Sequence, residues 1–597
     1  MKKIFGLIIM AVMAVSLQAR PAYPGMVKLT QPDGSTIMVR IHGDEWGHWM
    51  TDASGKVIEM GEDGFYREAV GLTPETAAAA ARIRRQAMIQ RRNKMAAKTS
   101  GHVAVGQKHF LVILCAFQDK DFKTANVHAA VTSMLNDKGY SGNGATGSAR
   151  DFYYASSNGY FEPIFDVYGP VTLDNNMSYY GKNINGVQGY DQHAEEAVLE
   201  GCDKLDKQID FSQYDNDNDG YVDMVFMIYA GYGEADGGGS NTIWPHQYYV
   251  EGTFDDVNLY KYACSNELAK QGDLADKLDG IGAVCHEFGH AMGLPDFYDT
   301  DYDTNSYTGG LYDFSTMCSG TYNNSSRTPP YFNTEERILL GWVNEADAYQ
   351  EFTASGSVTI PAYRPDQGQT VAYKTPTDQN GEYFVYECRG SQGWDSGIDG
   401  HGLVVYHVDK SSRKVKIIDE YGSNTSVKAS ELWSNWEETN SINENGKHPC
   451  FYVIPSDEQD NLDYEYSSAS MVFPGSQSVT TYTAKSWNGV YSDYVLSNIA
   501  FSSQKSTFTV SVPVQPTAID YPVIANPGNG VYSAGSSFTF ALEESTTRPY
   551  SSVEWYFDGS KKTSASVTLT AGSHTVEAAV KLENGRTTKV TLEITVQ

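Results

Sequence analysis

Two long apolar runs mark the centre of the chain as a domain built around buried strands. Lys108–Asp119 reads KHFLVILCAFQD and Tyr221–Glu234 reads YVDMVFMIYAGYGE. Continuous apolar runs of this length are typical of strands that are covered on both faces. Between residues 103 and 345 such segments alternate with helical patterns. We therefore predict an α+β domain over 103–345, built on a mixed sheet.

The pattern changes to short strands after residue 345. Brief apolar stretches separated by Gly and Pro turns fill residues 346–512, which is typical of a β-sandwich. The segment VPVQPT (Val512–Thr517) has the composition of a linker. Residues 518–597 show a further set of short strands and resemble an immunoglobulin-like or PKD-like module. The fold class predicted for the whole chain is multidomain α+β.

The amino terminus has the pattern of a signal peptide over residues 1–19. Lys2 and Lys3 precede the apolar stretch Ile4–Val15, and the small residue Ala19 stands before polar sequence. The alternative is a membrane anchor, but the apolar stretch is short for a span. We expect an exported protein without a transmembrane segment, secreted or at the cell surface, with the periplasm left open.

A basic segment separates a small β unit from the central domain. Residues 20–70 contain short strand patterns split by Asp-Gly and Ser-Gly turns, and 73–98 form a strong helical pattern rich in arginine. This arrangement indicates a pro-segment over 20–102. We expect an activating protease to cut within 82–102. A helix with a solvated basic face is the plainer interpretation of the same residues.

The stretch HEFGHAMGLPDFYD (His286–Asp299) carries the clearest chemistry. A helix through it places His286 and His290 on one side, since residues four apart are neighbours on a helix surface. Two imidazoles can then converge on one metal ion. Glu287 lies beside them as a general base for a water that zinc makes more acidic. The other side of this helix is apolar and contains Ile281, Val284, Cys285, Phe288 and Met292.

The residues after the second histidine supply a third ligand. Gly293 can adopt the left-handed conformation that turns a chain sharply. The turn returns Asp296 towards the metal and gives the pattern HExxHxxGxxD. Some zinc proteases instead take a glutamate from a second helix, for which Glu335 and Glu336 are the candidates. Two histidines on the surface of a core helix would leave the glycine and the aspartate unexplained.

Two residues further on fit the same kind of site. Met317, in DFSTMCSGTY, has the place of a methionine turn that packs beneath the metal ligands. Tyr322 could turn towards the metal and stabilise an oxyanion. A methionine is usually core filling, and Tyr322 has many rivals among the 41 tyrosines, so both assignments remain candidates.

An acidic loop, YDNDNDGYVD, resembles the start of a calcium-binding EF-hand loop. Gly220 has the sharp-turn position, but Phe226 stands where the bidentate glutamate would be. We predict a shorter structural calcium turn, with a solvated acidic turn as the alternative. The stretch Asp296–Asn305 could hold a second calcium ion. The candidate ligands of the first loop are the carboxylates of Asp215, Asp217, Asp219 and Asp223 and the carbonyl of Tyr221.

These motifs together resemble the M6 family of zinc metallopeptidases, the immune inhibitor A group. The resemblance extends through RDFYYASSNGYFEPIFDVYGPVTL (Arg150–Leu173), WPH (Trp244–His246), GWDSGIDGHGLVVYHVD (Gly393–Asp409) and FPG (Phe473–Gly475). It implies a zincin-like or metzincin-like catalytic domain, one catalytic zinc ion, structural calcium and a secreted zymogen endopeptidase. GDEWGHWMTDASGKVIE is similar to pro-segments of such enzymes in the Bacteroides–Porphyromonas group.

Charge and cysteine content limit the partners. The net charge of −30 argues against nucleic acid, and protein or peptide is the expected substrate. The seven cysteines are scattered and contain no CxxC pair, so one or two disulfides are conceivable. None lies in 20–102, which excludes a thiolate as the group that holds the zymogen inactive.

Latency and a competing function stay open at this level. A carboxylate of Asp44 or Glu45, or an imidazole of His42 or His48, could occupy the open metal position, or the pro-segment could simply block the cleft. The competing interpretation is a catalytically weak protease fold acting as a surface adhesin or glycan-binding module. The aromatic candidates for such binding in the C-terminal units are Trp433, Trp436 and Trp555.

Overall fold

The computed structural model describes residues 18–597 with several gaps. The gaps are residues 46, 82–103, 184–190, 301–307, 366–371, 419–423, 458–466, 513–521, 526, 528–531, 544–549 and 583–586. The apolar stretch of the predicted signal peptide and the basic segment expected to be cut therefore lie outside the described residues. Within the described residues, no helix combines the length and the apolar character that crossing a bilayer requires.

The predicted pro-segment forms an antiparallel meander of five strands, in the order β2-β3-β4-β5-β6. A helix follows, and residues 74–81 are its described part (α1). The strand pattern in residues 20–70 is thereby confirmed. The strands are β2 (Met26–Thr30), β3 (Thr36–Asp44), β4 (Gly47–Thr51), β5 (Val57–Met60) and β6 (Tyr66–Glu68).

The central sheet has six strands in the order β1-β10-β11-β9-β7-β8. The pairs among β11, β9, β7 and β8 are parallel, whereas β10 pairs antiparallel with β11 and β1 pairs antiparallel with β10. Both predicted buried strands, β7 and β9, lie side by side in the middle. The strands are β1 (Gln18–Ala19), β7 (Gly106–Ala116), β8 (Phe161–Thr172), β9 (Val225–Tyr232), β10 (His246–Phe254) and β11 (Val257–Leu268).

Helices cover both faces of this sheet, which explains the continuous apolar runs of its strands. Alternate residues of β7 enter two separate apolar clusters, one shared with α2, α3 and α6 and the other with α4 and α5. The helices are α2 (Val127–Asn136), α3 (Ala149–Ser156), α4 (Met177–Gly181), α5 (Ala194–Leu205) and α6 (Gly282–Met292).

Three short helices lead from the central unit into two further sheets. The helices are α7 (Asn323–Ser326), α8 (Thr334–Leu339) and α9 (Glu345–Ala348). The first sheet, in spatial order, contains β12 (Tyr349–Gln350), β14 (Ala372–Pro376), β15 (Glu382–Arg389), β16 (Gly402–Asp409) and β19 (Phe451–Val453). The second contains β13 (Gly356–Pro361), β22 (Lys505–Ser511), β21 (Tyr491–Ser502) and β20 (Tyr482–Lys485).

The five-stranded sheet is buried on both faces. One face shares an apolar cluster with the four-stranded sheet, and the other lies in the same cluster as α6 and the pro-segment. The strands predicted over 346–512 are present, while the β-sandwich class stays a prediction. A small hairpin and three short helices complete this part: β17 (Lys414–Ile418), β18 (Asn424–Lys428), α10 (Ala429–Ser434), α11 (Trp436–Thr439) and α12 (Ser468–Met471).

The last part of the chain forms a separate apolar cluster over residues 524–596. Its main sheet has the order β27-β26-β29-β30, beside the pairs β23-β25 and β24-β28. The strands predicted over 518–597 are present in the described residues; the domain and its immunoglobulin-like or PKD-like class stay predictions. The strands are β23 (Ile524–Ala525), β24 (Ser537–Thr539), β25 (Ala541–Leu542), β26 (Tyr550–Phe557), β27 (Ser560–Lys562), β28 (Ser566–Thr568), β29 (Gly572–Leu582) and β30 (Thr587–Val596).

Candidate active site

Helix α6 carries the two histidines and the glutamate of the HExxH pattern, and every residue in it is buried. Its apolar side faces the central sheet, where the ring of Phe288 lies edge-to-face on Phe110 with centroids 4.7 Å apart. An isolated helix of this length is marginal in water. Core packing therefore holds the helix and fixes the direction of its opposite side.

The imidazoles of His286 and His290 face each other, with their Nε2 atoms 3.0 Å apart. Each Nδ1 lies 2.8 Å from a backbone carbonyl, that of Thr316 for His286 and that of Leu294 for His290. A carbonyl only accepts hydrogen bonds, so each Nδ1 carries the proton and each Nε2 of a neutral ring presents a lone pair. Two lone pairs at this distance repel each other unless a proton or a metal ion lies between them.

Asp296 completes the cluster, as the sequence predicted. The chain turns at Gly293, whose φ of 112° is in the left-handed region. Asp296 Oδ1 then lies 3.3 Å from His286 Nε2 and 3.5 Å from His290 Nε2. Burial opposes ionisation of this carboxyl, but the two imidazoles outweigh it and hold the pKa of Asp296 below its usual range. The carboxylate therefore adds a third acceptor to the cluster.

The separations of these acceptors fit a zinc ion. Zinc bound tetrahedrally to nitrogen and oxygen at roughly 2.0–2.2 Å leaves neighbouring ligand atoms about 3.3–3.6 Å apart. Two of the separations in the cluster, 3.3 and 3.5 Å, fall in this range, and the third, 3.0 Å between the two imidazole nitrogens, is somewhat shorter. Asp296 Oδ1 has no hydrogen-bond donor among the described residues. Three protein ligands are also the number that leaves a fourth position open for chemistry.

Asn440 positions the candidate third ligand, and no sequence motif pointed to it. Its side-chain amide donates to Asp296 Oδ2 over 2.7 Å, and the backbone N–H of Asp296 donates to Asn440 Oδ1 over 2.9 Å. Asn440 caps the carboxyl end of α11 in a left-handed conformation with φ 47°. It lies 144 residues from Asp296 along the chain, so no local motif could identify it.

Met317 lies directly beneath α6, where a methionine turn was predicted. Its side chain is fully buried. A Cβ added at Gly289 would stand 2.7 Å from Met317 Sδ, so the helix and the thioether touch at the glycine between the two histidines. The preceding carbonyl, of Thr316, is the acceptor that orients His286. The segment thus supports the cluster by packing and by one hydrogen bond.

Glu287 is fully buried, and its carboxyl lies close enough to His286 and Asp296 for their charges to act on it. The backbone N–H of Arg20 donates to its Oε1 over 2.8 Å, and its Oε2 has no partner within the described residues. Burial raises the pKa of Glu287 to about 8, with the charge of His286 opposing that effect and the charge of Asp296 adding to it. A carboxyl that gains and loses its proton near neutral pH is suited to general acid–base chemistry.

Tyr322, the candidate for oxyanion stabilisation, contacts the pro-segment. Its hydroxyl donates to the carbonyl of Pro21 over 2.7 Å, and its ring stacks beneath the guanidinium of Arg20 at 3.8 Å. Its ring also meets Tyr23 edge-on, with centroids 5.2 Å apart. The side chain lines the cleft, and its role in oxyanion stabilisation stays a prediction.

Glu335 and Glu336, the alternative third ligands, belong to other networks. Glu335 pairs with the ammonium of Lys410 over 2.7 Å and accepts from the hydroxyl of Tyr383 over 2.6 Å. Glu336 accepts from Ser315 Oγ over 2.5 Å and from the N–H of Asn333 over 2.7 Å. Neither joins the cluster of possible metal ligands, which His286, His290 and Asp296 form.

The acidic loop brings together part of the predicted calcium ligands. Carboxylate oxygens of Asp215, Asp217 and Asp219 lie within 4.8 Å of one another. Asp223 instead accepts from the backbone and side-chain amides of Asn216, over 3.0 and 2.6 Å. The backbone N–H of Tyr221 donates to Asp219 Oδ1 over 2.9 Å, and this hydrogen bond fixes the position of Tyr221. Of the second acidic stretch, Asp301 and Asp303 lie outside the described residues.

The two histidines proposed for latency have other partners. His42 Nε2 hydrogen-bonds Thr51 Oγ1 over 2.8 Å. His48 Nε2 lies 3.1 Å from the carboxylate of Glu234, and its Nδ1 donates to the carbonyl of Asp44 over 3.0 Å.

Glu45 has a different environment from these histidines. It is 4% exposed, and within the described part of the chain neither carboxylate oxygen has a hydrogen-bond partner. Burial and the charges of Asp44, Glu287 and Asp296 raise its pKa well above its usual range. Glu45 therefore lies within electrostatic range of the acidic groups of the cluster.

The remaining candidates are buried structural residues. Trp433 and Trp436 belong to the large central apolar cluster, and Trp555 to the C-terminal one. All seven cysteines are buried and unbonded to one another, so the structure contains none of the disulfides considered conceivable from the sequence.

Comparison with known proteins gives one family. Residues 99–337 match the model of the immune inhibitor A peptidase M6 catalytic domain. The metalloprotease PrtV of Vibrio cholerae is 32% identical over 196 residues, which are 28% of this chain and 21% of PrtV. Immune inhibitor A of Bacillus thuringiensis is 32% identical over 161 residues, 24% of this chain and 22% of that protein. The chain thus spans about a fifth of the length of these curated relatives.

Solved structures give a much weaker likeness. Wild-type OgpA of Akkermansia muciniphila is 10% identical, with 83% of this chain and 96% of that chain covered at a TM-score of 0.22. Its inactive form in complex with an O-glycopeptide substrate gives a TM-score of 0.23 at 9% identity. The family match, by contrast, includes all four residues of the HExxHxxGxxD site. Residues 99–337 of this chain therefore match the catalytic domain of the M6 peptidase family, the family of immune inhibitor A.

Proposed function

We propose that the protein is an exported zymogen of a zinc endopeptidase. The observation that carries the proposal is the convergence of His286 Nε2, His290 Nε2 and Asp296 Oδ1 within 3.5 Å, with the carboxyl of Glu287 beside them. Protein or peptide is the substrate class that the family supports. Export rests on the signal-peptide pattern of residues 1–19.

The residues of the site have distinct roles in this proposal. His286, His290 and Asp296 hold zinc, and Thr316, Leu294 and Asn440 orient them through the hydrogen bonds of their rings and carboxylate. A bound zinc ion would lower the pKa of a coordinated water to about 7 and polarise the substrate carbonyl. Glu287 accepts the proton of the attacking water and delivers it to the nitrogen of the leaving amine.

Hydrolysis of peptides by the activated chain tests this function. The full chain is cut within 82–102, and its rate on casein and on quenched fluorescent peptides is compared with that of Glu287→Ala and of the exposed-site control Glu59→Ala. We expect Glu287→Ala to lose at least about 10²-fold in kcat, the lower end of what a general base contributes, while retaining its metal. Equal rates in the wild type and Glu287→Ala would reject the proposal.

We further propose that Glu45 holds the zymogen inactive. The support is its burial, the lack of a hydrogen-bond partner for its carboxylate in the described part of the chain, and the influence of Glu287 and Asp296 on its pKa. In this account Glu45→Ala makes the uncut chain active, whereas Glu59→Ala at an exposed position of the same sheet does not. Unchanged latency in Glu45→Ala, measured on a fluorescent peptide, would remove Glu45 as the blocking group.

The acidic loop is proposed as a structural calcium site. Three carboxylates within 4.8 Å repel one another unless a cation lies between them, and the loop leads directly into β9 of the central sheet. Added calcium should raise the unfolding temperature of the wild type, and Asp217→Asn should reduce that increase. An identical response in both proteins would exclude the loop as the site.

Three further assignments remain proposals on sequence grounds. The basic segment 82–102 suits cleavage by an arginine-specific protease, and limited proteolysis with mass analysis of the products tests it. The C-terminal β units are candidates for binding glycans or protein surfaces, and a glycan array tests them. The likeness of 43–59 to pro-segments of the Bacteroides–Porphyromonas group also stays a prediction.

A further inference from the structure

An extended stretch that joins the predicted signal peptide to the predicted pro-segment crosses the candidate active site like a bound peptide. β1 pairs antiparallel with the edge strand β10, with Ala19 opposite His246. The indole N–H of Trp244 donates to the carbonyl of Arg20 over 2.9 Å, and Tyr322 donates to the next carbonyl, that of Pro21, over 2.7 Å. Addition of a strand to an exposed sheet edge is a common way to bind an extended peptide.

Arg20 has the backbone position of a residue just after a cut bond. Its N–H lies 2.8 Å from Glu287 Oε1. In the proposed reaction this carboxylate delivers a proton to the leaving nitrogen, so the leaving nitrogen must come within hydrogen-bond distance of it. Arg20 N occupies that position. The side chain of Arg20 therefore marks the pocket that would receive the first residue on the carboxyl side of a cut bond.

This pocket, which we name the Arg20 pocket, is lined by Asp236, Asp279, Tyr322 and Ser326. The guanidinium Cζ lies 3.8 Å from the centroid of the Tyr322 ring, Nη2 donates to Ser326 Oγ over 2.8 Å, and Nη1 lies 3.8 Å from Asp279 Oδ2. Arg20 is 1% exposed. A cavity of about 70 Å³ remains beside it, so the pocket has space beyond the arginine that fills it.

Two buried carboxylates make the pocket selective for a cation. Asp279 is held by the N–H of Gly280 over 2.7 Å and by the amide of Asn266 over 3.0 Å. Asp236 accepts from the N–H of Lys270 over 3.1 Å, and its Oδ1 has no hydrogen-bond partner in the described chain. Burial raises the pKa of Asp279 and raises that of Asp236 to about 7, and the charge of Arg20 opposes both increases. Without a cation in the pocket the two carboxyls would therefore take up protons more readily, whereas a bound cation keeps them charged and paired. A substrate side chain that restores a cation is therefore favoured.

We propose that the Arg20 pocket selects peptides with arginine or lysine on the carboxyl side of the cut bond, and that Arg20 fills it in the zymogen as a stand-in for substrate. The proposal rests on the peptidase function proposed above. If the signal peptide is removed after Ala19, the new α-ammonium group of Arg20 takes the place of its amide N–H at Glu287. The segment is then bound as a cleavage product would be.

Cleavage preference is the first test. The activated full chain digests a mixed peptide library, and mass spectrometry identifies the residue after each cut bond. We expect arginine and lysine to predominate there. For a matched pair of fluorescent peptides that differ only in arginine or leucine at this position, Asp279→Asn and Asp236→Asn should each lower the ratio of kcat/KM by 10-fold or more. Asp276→Asn removes a carboxylate that is exposed and outside the pocket, and should leave the ratio unchanged.

The outcomes separate this proposal from the peptidase function. Cleavage without a basic preference, or an unchanged ratio in both pocket variants, overturns the pocket assignment and leaves the peptidase function in place. Thermal unfolding of each variant excludes loss of fold as the cause. If no peptide is cut, the peptidase function is rejected. Direct binding of peptides then tests whether the pocket selects a basic side chain.

Binding is measured by fluorescence anisotropy with labelled Arg-Pro-Ala-Tyr, on the cut Glu287→Ala chain after separation from its pro-segment. We expect the arginine peptide to bind at least 10-fold more tightly than Leu-Pro-Ala-Tyr. Asp279→Asn should remove this difference. Equal affinity of the two peptides would overturn the proposal.

Discussion

At the scale of single residues, hydrogen bonds determine which atoms of the site carry protons. Carbonyl acceptors at Thr316 and Leu294 fix the proton of each histidine on Nδ1, and the lone pairs on Nε2 meet Asp296 Oδ1 without a donor from any described residue. The motif and its third ligand could be predicted from spacing along one helix and one turn. Asn440, Glu45 and Arg20 could not, since each reaches the site through tertiary packing of a distant segment.

Asn440 provides a direct test of that packing. Loss of its hydrogen bond to Asp296 should free the third ligand to rotate, and partners of this kind typically change metal affinity by about 10–100-fold. We therefore expect Asn440→Ala to weaken zinc binding within that range. Competition titration with a chromophoric chelator measures it. The control is Asn435→Ala, an exposed position on the same short helix, and equal affinities of the two variants would contradict the assignment.

His246 gives a prediction for pH. Burial lowers its pKa to about 4, and its hydrogen bond to the carbonyl of Trp244 only partly opposes this. The unfolded chain takes up the proton near pH 6.5, so the folded state binds fewer protons between pH 6.5 and 4. Its contribution to stability is complete above pH 6.5 and falls by roughly 3 kcal/mol towards pH 4.

Urea unfolding of the wild type and of His246→Gln at pH 7 and pH 4.5 measures this contribution. The glutamine variant should lose less stability on acidification than the wild type. The same loss in both proteins would show that His246 is not the group that responds.

At the scale of elements, the catalytic helix and the turn beneath it form one unit. α6 meets the turn at Gly289, where a Cβ would come within 2.7 Å of Met317 Sδ. The helix could be predicted from its apolar periodicity, and the methionine from its place after the third ligand. The fully buried environment of α6 could not, because it depends on the five-stranded sheet and on the pro-segment that cover the same core.

A double-mutant cycle tests this contact. Gly289→Ala should overpack the site and cost about 1–3 kcal/mol, and Met317→Ala should cost about 2–5 kcal/mol through the cavity that it leaves. The alanine at position 289 partly fills that cavity, so the double variant should be more stable than the sum of the two losses predicts, by at least about 0.5 kcal/mol. Additive losses in urea unfolding would mean that the two residues do not touch.

At the scale of the whole molecule, the apolar core around helix α6 does not end where the sequence pattern changes. One apolar cluster contains residues of the predicted pro-segment, of the central sheet and of the five-stranded sheet, from Trp49 to Val472. The change of hydrophobic pattern near residue 345 marks a change from long buried strands to short strands. It does not indicate which segments pack into the same apolar core. The last unit, by contrast, has an apolar cluster of its own.

Truncated chains test which units share an apolar core and which unit has a core of its own. A chain ending at residue 345 should expose the shared cluster and fail to fold, whereas a chain ending at Val512 should keep the fold of the remaining units. Soluble yield and the cooperativity of thermal unfolding provide the measurement. A chain of 1–345 that folds cooperatively and binds zinc would refute the shared core.

Zinc content tests the central claim most directly, because it depends on the three converging acceptors and not on activation or substrate. The full chain is prepared without added chelator, and its metal is quantified by mass spectrometry for the wild type, for His290→Ala and for Asn435→Ala as a control. We predict one zinc ion per chain in the wild type and in the control, and none in His290→Ala. A wild-type chain without zinc, or an equal zinc content in His290→Ala, would contradict the account.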